Sequence, residues 1–172
     1  MYNQKFNFDD VFSLMQKSFP KNEYRTYENQ KKLLTNKYYK IIPYFGNENE
    51  FLAFAAVWEF ESFKFVEHIA VSEKCRGMGI GSKIMRDIIE KSDTDIILEI
   101  EPPNDETSIR RLRFYEKLGF KCNEYQYFQL PLNNSDMPTP LKILSYPKTI
   151  NEEQFKKIKE TIYANVYGKS EF

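Results

Sequence analysis

The chain has 172 residues, with 25 Lys and Arg against 25 Asp and Glu, so its formal net charge is zero. That length suits one domain with a substantial core, and the neutrality excludes a non-specific nucleic-acid binder, which needs a positive surplus. A content of 41% hydrophobic and 16% aromatic residues excludes an intrinsically disordered chain. No apolar stretch reaches bilayer-spanning length and none follows Met1, so the reading is of a soluble cytoplasmic protein without signal peptide or membrane contact. Two cysteines, Cys75 and Cys122, and a single histidine, His68, make neither a disulfide framework nor a zinc site, and no metal is expected.

The first eight residues read as a short strand or loose arm. A helix follows over Asp9–Phe19: Asp9 is positioned to cap it, Val11, Phe12, Met15 and Phe19 recur at helical spacing, and Pro20 closes it. A more polar helix is expected over Tyr27–Leu34. Three strands come next, over Tyr38–Tyr44, Phe51–Phe60 and Phe63–Val71, joined by turns at Gly46-Asn47 and Glu61-Ser62 into an antiparallel meander.

After Val71 the pattern changes. Ile80, Ile84, Met85, Ile88 and Ile89 mark an amphipathic helix ending near Lys91. Asp95–Ile100 is a buried strand. Ile109, Leu112, Tyr115 and Leu118 mark another helix, ended by Gly119. This strand–helix–strand–helix order implies a crossover and a parallel pair. Tyr125–Leu130 and Leu141–Tyr146 read as a closing antiparallel pair around the loop Asn133–Asp136. A last helix starts at Asn151 with Gln154 as its capping-box partner and a stripe of Phe155, Ile158, Ile162 and Val166. The chain reads as one domain over 1–172, with a core of about 9–147 and an appended helix over 151–167.

Three of the six glycines fall within five positions, in Cys75-Arg76-Gly77-Met78-Gly79-Ile80-Gly81-Ser82-Lys83, between a strand and a helix. Glycines there let backbone approach a ligand closely, and a helix start offers unpaired N–H groups to a phosphate. The spacing fits neither a P-loop, which needs Lys after the last Gly, nor a dinucleotide fingerprint, whose third glycine falls elsewhere. It fits Arg-x-x-Gly-x-Gly, as Arg76, Gly79 and Gly81.

With the preceding strand Val66-Glu67-His68-Ile69-Ala70-Val71 and the later segment Phe114-Tyr115-Glu116-Lys117-Leu118-Gly119-Phe120, this sequence resembles the GNAT superfamily, the acyl-CoA-dependent N-acetyltransferases, from about Phe51 to Leu130. The resemblance implies an α/β fold: a mixed, mostly antiparallel sheet with a central parallel splay, flanked by helices, here with an extra C-terminal helix. It implies N-acetyl transfer from acetyl-CoA to a primary amine of a small molecule, peptide or protein, by a monomer or homodimer. The backbone of Arg76, Gly77, Met78, Gly79, Ile80, Gly81 and Ser82 would hold the CoA pyrophosphate. Pantetheine would lie along Ile69, Ala70 and Val71, where the Ile69 N–H would polarise the thioester carbonyl.

Tyr115 matches the family's tyrosine that protonates the leaving thiolate, and a phenol with a reference pKa of about 10 can donate at neutral pH. Glu67 is the first choice of general base, because family members often carry a glutamate on this strand, and in extended backbone it shares a face with Ile69 and Val71. Glu99 and Glu101, at the end of the neighbouring strand, are its rivals. His68 falls on the opposite face and reads as a packing residue; Cys75 has no evident base and reads as structural. Many family members have Asn seven residues before the tyrosine and Ala four before it; here those places are Ser108 and Arg111, while an Asn occurs earlier, at Asn104. The polar contact to pantetheine then comes from Ser108 or Asn104 or is missing, and Arg110, Arg111 and Arg113 either reach the 3′-phosphate or are solvated helix arginines. A non-catalytic acyl-CoA-binding module is the alternative.

Overall fold

A computed structural model describes residues 5–133 and 137–169. The loop segment 134–136, part of the turn expected at Asn133–Asp136, and residues 1–4 of the expected N-terminal arm lie outside the described residues; 5–7 form no strand. The chain packs as two compact units, Met1–Thr94 and Asp95–Phe172.

The first unit opens with α1 (Phe8–Ser18), which buries Phe8, Val11, Phe12, Leu14 and Met15. Its cap is Asn7 rather than Asp9: the Asn7 side chain accepts from the Asp9 N–H at 3.0 Å, and Asp9 and Asp10 fall in the first turn, where the helix dipole favours acids. A 3-10 turn at Lys21–Glu23 leads to α2 (Tyr27–Lys32), capped by Thr26. The meander follows as β1 (Tyr39–Phe45), β2 (Phe51–Glu59) and β3 (Phe63–Val71), with β2 pairing antiparallel to both neighbours. β2 is buried from Ala53 to Trp58, which explains its unbroken apolar run.

The β2–β3 register slips once. Ala56 faces His68 and Val57 faces Val66, so Glu67 is the extra residue of a β-bulge. The bulge breaks alternation, and Phe65 and Val66 are both buried although adjacent. Beyond β3, a 3-10 turn at Glu73–Cys75 and the glycine segment lead into α3 (Ile80–Glu90), which buries Ile84, Met85 and Ile88.

In the second unit, β4 (Asp95–Ile100) pairs antiparallel with β6 (Thr139–Tyr146), which pairs antiparallel with β5 (Lys121–Gln129). β5 begins four residues earlier than its aromatic run suggests, because Lys121 and Cys122 pair with Ser145 and Leu144. Buried Asn123 fixes this end, donating to Ser145 Oγ and the Ile143 carbonyl while accepting from the Ile150 N–H. Between β4 and β5 lies α4 (Glu106–Lys117), with a capping box of Asp105 and Ser108 and with Gly119 beyond its end at φ 99°. The last helix, α5 (Glu152–Asn165), has the expected capping box of Asn151 and Gln154.

Candidate active site

In the first unit the glycine segment forms an exposed cradle. Gly77 and Gly79 have φ of 78° and 76°, left-handed backbone in which a Cβ is strained. Neither has an atom within 4 Å of where a Cβ would sit, so backbone conformation rather than crowding requires glycine. Gly79 is the N-cap of α3, and no side chain caps the helix. The N–H groups of its first turn are therefore offered outward, at the positive end of the helix dipole. Arg76 and Met78 are exposed, and Arg76 lies 3.7 Å from Glu73. Ile80, Gly81 and Ser82 are half-buried in the first turn. Ile69 and Val71 are half-exposed on one side of β3, with Ala70 buried on the other.

Glu67 lies in a different setting from the one alternation suggests. Its side chain is 5% exposed and accepts from Arg25 Nη1 at 2.8 Å and from Trp58 Nε1 at 2.7 Å. Arg25 also reaches Gln30, whose amide donates to the Tyr39 hydroxyl. Burial pushes the Glu67 pKa up, but Arg25, His68 and the Trp58 hydrogen bond together hold it below the usual carboxylate value. A carboxylate so committed is a weak proton acceptor. Sequence reasoning missed Arg25 and Trp58 as its partners; the one signal was an arginine isolated between two short helical segments.

His68 follows the bulge. It is 4% exposed, its Nε2 lies 2.7 Å from the Glu23 carbonyl oxygen, and the Phe19 ring meets it edge-on. It is packed, as the sequence suggests, and also hydrogen-bonded.

In the second unit Tyr115 is half-buried on α4, its ring edge-on to Phe120. Burial raises its pKa to about 12; Arg111 opposes this and Glu101 adds to it. The phenol is thus protonated at neutral pH. Glu101 and Arg111 form an ion pair at the surface, so Arg111 is engaged with a carboxylate. Ser108 is 5% exposed and its Oγ accepts from the Asp105 N–H and donates to the Asp105 carbonyl, which occupies it in the cap; Asn104 is exposed. Glu99 accepts from two buried tyrosines, Tyr127 of β5 and Tyr167 beyond α5, the latter at 3.0 and 2.8 Å to its two oxygens. Tyr167 tethers the C-terminal segment to this carboxylate.

Residues 8–120 match the model of the acetyltransferase (GNAT) family. The chain belongs to the GNAT family. YjbC of Bacillus subtilis (strain 168), an acetyltransferase-like protein, is 34% identical over 113 residues, 63% of this chain; the match spans 58% of YjbC. A GNAT-family protein of Bacteroides thetaiotaomicron is 27% identical and superposes with a TM-score of 0.87 over 96% of this chain and 97% of its own. This GNAT chain has the expected class of fold: mixed α/β, mostly antiparallel and flanked by helices. A Bacillus subtilis acetyltransferase solved with CoA, 17% identical, superposes at 0.58 over 83% of this chain and 93% of its own. Among the described residues no group of three or more His, Cys, Asp or Glu is arranged to hold a metal ion, and no helix is long and apolar enough to cross a membrane.

Proposed function

We propose that this GNAT protein transfers the acetyl group of acetyl-CoA to a primary amine by direct attack of the amine on the thioester. The observation that carries this reading is the cradle at the start of α3, where two left-handed glycines precede a helix that no side chain caps. Such a turn suits a pyrophosphate, because the N–H groups and the helix dipole act together on one anion. Family membership supports acetyl-CoA as the donor, and the relative solved with CoA has the same fold.

Backbone from Arg76 to Ser82 would hold the pyrophosphate, and Ile69, Ala70 and Val71 would flank pantetheine. The Ile69 N–H would stabilise the oxyanion that develops on the thioester carbonyl. Tyr115 would protonate the departing thiolate, its phenol being protonated across the whole physiological range. Of the carboxylates weighed as base, Glu67 is held in its pair with Arg25 and Glu101 in its pair with Arg111. Ser108 serves the α4 cap, which leaves exposed Asn104 for a polar contact to pantetheine.

The test is thiol release from acetyl-CoA with a panel of a polyamine, a free amino acid, an aminoglycoside and an N-terminally free peptide. Wild type is expected to turn over at least one of them. Tyr115→Phe is expected to lower kcat by about 10²-fold with little change in the KM for acetyl-CoA. Tight CoA binding with no turnover of any amine, and no effect of Tyr115→Phe, would refute the reading in favour of a non-catalytic acyl-CoA-binding module.

A further inference from the structure

The first unit holds an open cavity of about 470 Å³, and every residue that lines it belongs to that unit. One wall is α1, through Asp10, Ser13, Leu14 and Lys17. These stand at i, i+3, i+4 and i+7, a single stripe of the helix roughly 10 Å long. The other wall is the chain that carries β3 into the glycine cradle, from Ser72 to Arg76. Phe51, the first residue of β2, also lines the cavity.

The lining sorts by chemistry. Leu14 is buried, and Phe51 is half-buried with its ring edge-on to Phe45, so together they give an apolar surface with a ring held in place. Lys17, Lys74 and Arg76 are exposed cations. Neither lysine has a carboxylate partner among the described residues. Arg76 has exposed Glu73 at 3.7 Å, a pair that solvent screens. Asp10 and the hydroxyl of Ser13 offer acceptors on the α1 side. Three cations at the edge of an aromatic surface suit no purely apolar ligand, and a bare anion has no use for the ring. The set matches one molecule with a flat base, hydroxyl groups and a phosphate: bases stack on aromatic rings, carboxylates accept from ribose hydroxyls, and clustered cations take phosphate.

We propose that this cavity binds a phosphorylated nucleoside, its base against Phe51 and Leu14, a ribose hydroxyl on Asp10, and its phosphate among Lys17, Lys74 and Arg76. Two sources carry that group. One is CoA, whose adenosine bears a 3′-phosphate beside the pyrophosphate. Arg76 belongs to both the cavity wall and the cradle, so one molecule reaches both. This source rests on the reading of acetyl-CoA as donor given above. The other is a free nucleotide that fills the cavity beside bound CoA. In either case Lys17 of α1 reads the phosphate.

The experiment is titration calorimetry on the full chain with CoA, dephospho-CoA and adenosine 3′,5′-bisphosphate, repeated in Lys17→Met and Lys74→Met. Both lysines are exposed, so both variants are expected to melt as wild type does. Each lost contact between cation and phosphate is expected to weaken binding by about five- to tenfold. With CoA as the source, wild type prefers CoA to dephospho-CoA by about tenfold or more, each variant loses most of that preference without losing affinity for dephospho-CoA, and saturating CoA displaces the bisphosphate. With a free nucleotide as the source, CoA and dephospho-CoA bind alike, and the bisphosphate binds the CoA-saturated protein with an affinity that falls in both variants. Phe51→Leu keeps apolar bulk and removes the ring; it is expected to weaken whichever probe the lysines weaken by about threefold or more. The proposal is overturned when neither lysine substitution weakens any of the three probes, or when Phe51→Leu leaves the lysine-dependent probe unchanged. Failure of the transfer reading shows separately. No turnover of any amine, with lysine-dependent binding intact, refutes the transfer and keeps the nucleotide site, whereas turnover with all probes blind to both lysines refutes only the site.

Discussion

Replacing Arg25 with Met removes the cation from a pair whose side chains are 8% and 5% exposed and whose N···O distance is 2.8 Å. Two unit charges about 4 Å apart attract by roughly 4 kcal/mol at an effective dielectric of about 20. Removing one partner of a buried pair costs about 3–5 kcal/mol, because the remaining charge stays desolvated. The Trp58 hydrogen bond to Glu67 survives the substitution, so the lower half of that range, about 3 kcal/mol, is the expected loss at pH 7. The pH dependence follows from the direction of the Glu67 shift. In the wild type its folded pKa lies below the ordinary carboxylate value, so the pair's stabilisation is present above that value and is lost as pH falls through the folded pKa. In Arg25→Met, burial is left dominant and the folded pKa rises above the unfolded one, so the variant's deficit shrinks as the pH falls. Adding Glu67→Gln to Arg25→Met is expected to recover most of the loss. Urea unfolding followed by the fluorescence of the single tryptophan, Trp58, reports from the network itself. A deficit below about 1 kcal/mol, one independent of pH, or a double variant that is simply additive would refute the reasoning.

Gly79→Ala is expected to cost about 1–2 kcal/mol from left-handed backbone alone, with no clash, and to weaken CoA binding by calorimetry more than it lowers the melting temperature. Gly119→Ala is expected to destabilise more than Gly168→Ala in thermal melts: both have positive φ, but only at Gly119 does the new Cβ approach the Tyr146 ring, at 3.0 Å. Tyr167→Phe deletes the donor to both Glu99 oxygens and is expected to cost about 1.5–3 kcal/mol by denaturant unfolding. Because the folded Tyr115 pKa is raised to about 12, any alkaline limb of the kcat–pH profile below pH 10 is expected to persist in Tyr115→Phe at its lower rate.

The parts of the fold written in local chemistry were legible. The capping box at Asn151 and Gln154, the glycine after α4 and the limits of β3 and β4 each follow from residues within a few positions of one another. The start of α1 was misjudged by one residue because Asn7 and Asp9 are both good caps, and only the turn geometry chooses between them. The early start of β5 was hidden because Lys121 and Cys122 pair with β6 without contributing to any apolar pattern. The turn ahead of α3 was legible because left-handed backbone at Gly77 and Gly79 calls for glycine, and the glycines cluster there. The surroundings of Glu67 were not: its partner Arg25 is 42 positions away, and no periodicity encodes that distance.

The bulge explains why two adjacent residues of β3 take such different parts. Regular alternation only turns neighbours to opposite faces; an extra residue also bends the strand and frees it from strict pairing. Glu67 is that extra residue, and its carboxylate turns to Arg25 and Trp58, where a charge is fixed and its basicity reduced. His68 resumes the ladder opposite Ala56 and packs edge-on against Phe19 at the end of α1, its Nε2 on the Glu23 carbonyl. A buried carboxylate compensated by arginine is well suited to hold a neighbouring imidazolium and poorly suited to take a proton itself. The same desolvation that makes Glu67 need Arg25 lowers the His68 pKa, so one bulged position in an apolar layer seats a compensated carboxylate and a packed imidazole side by side.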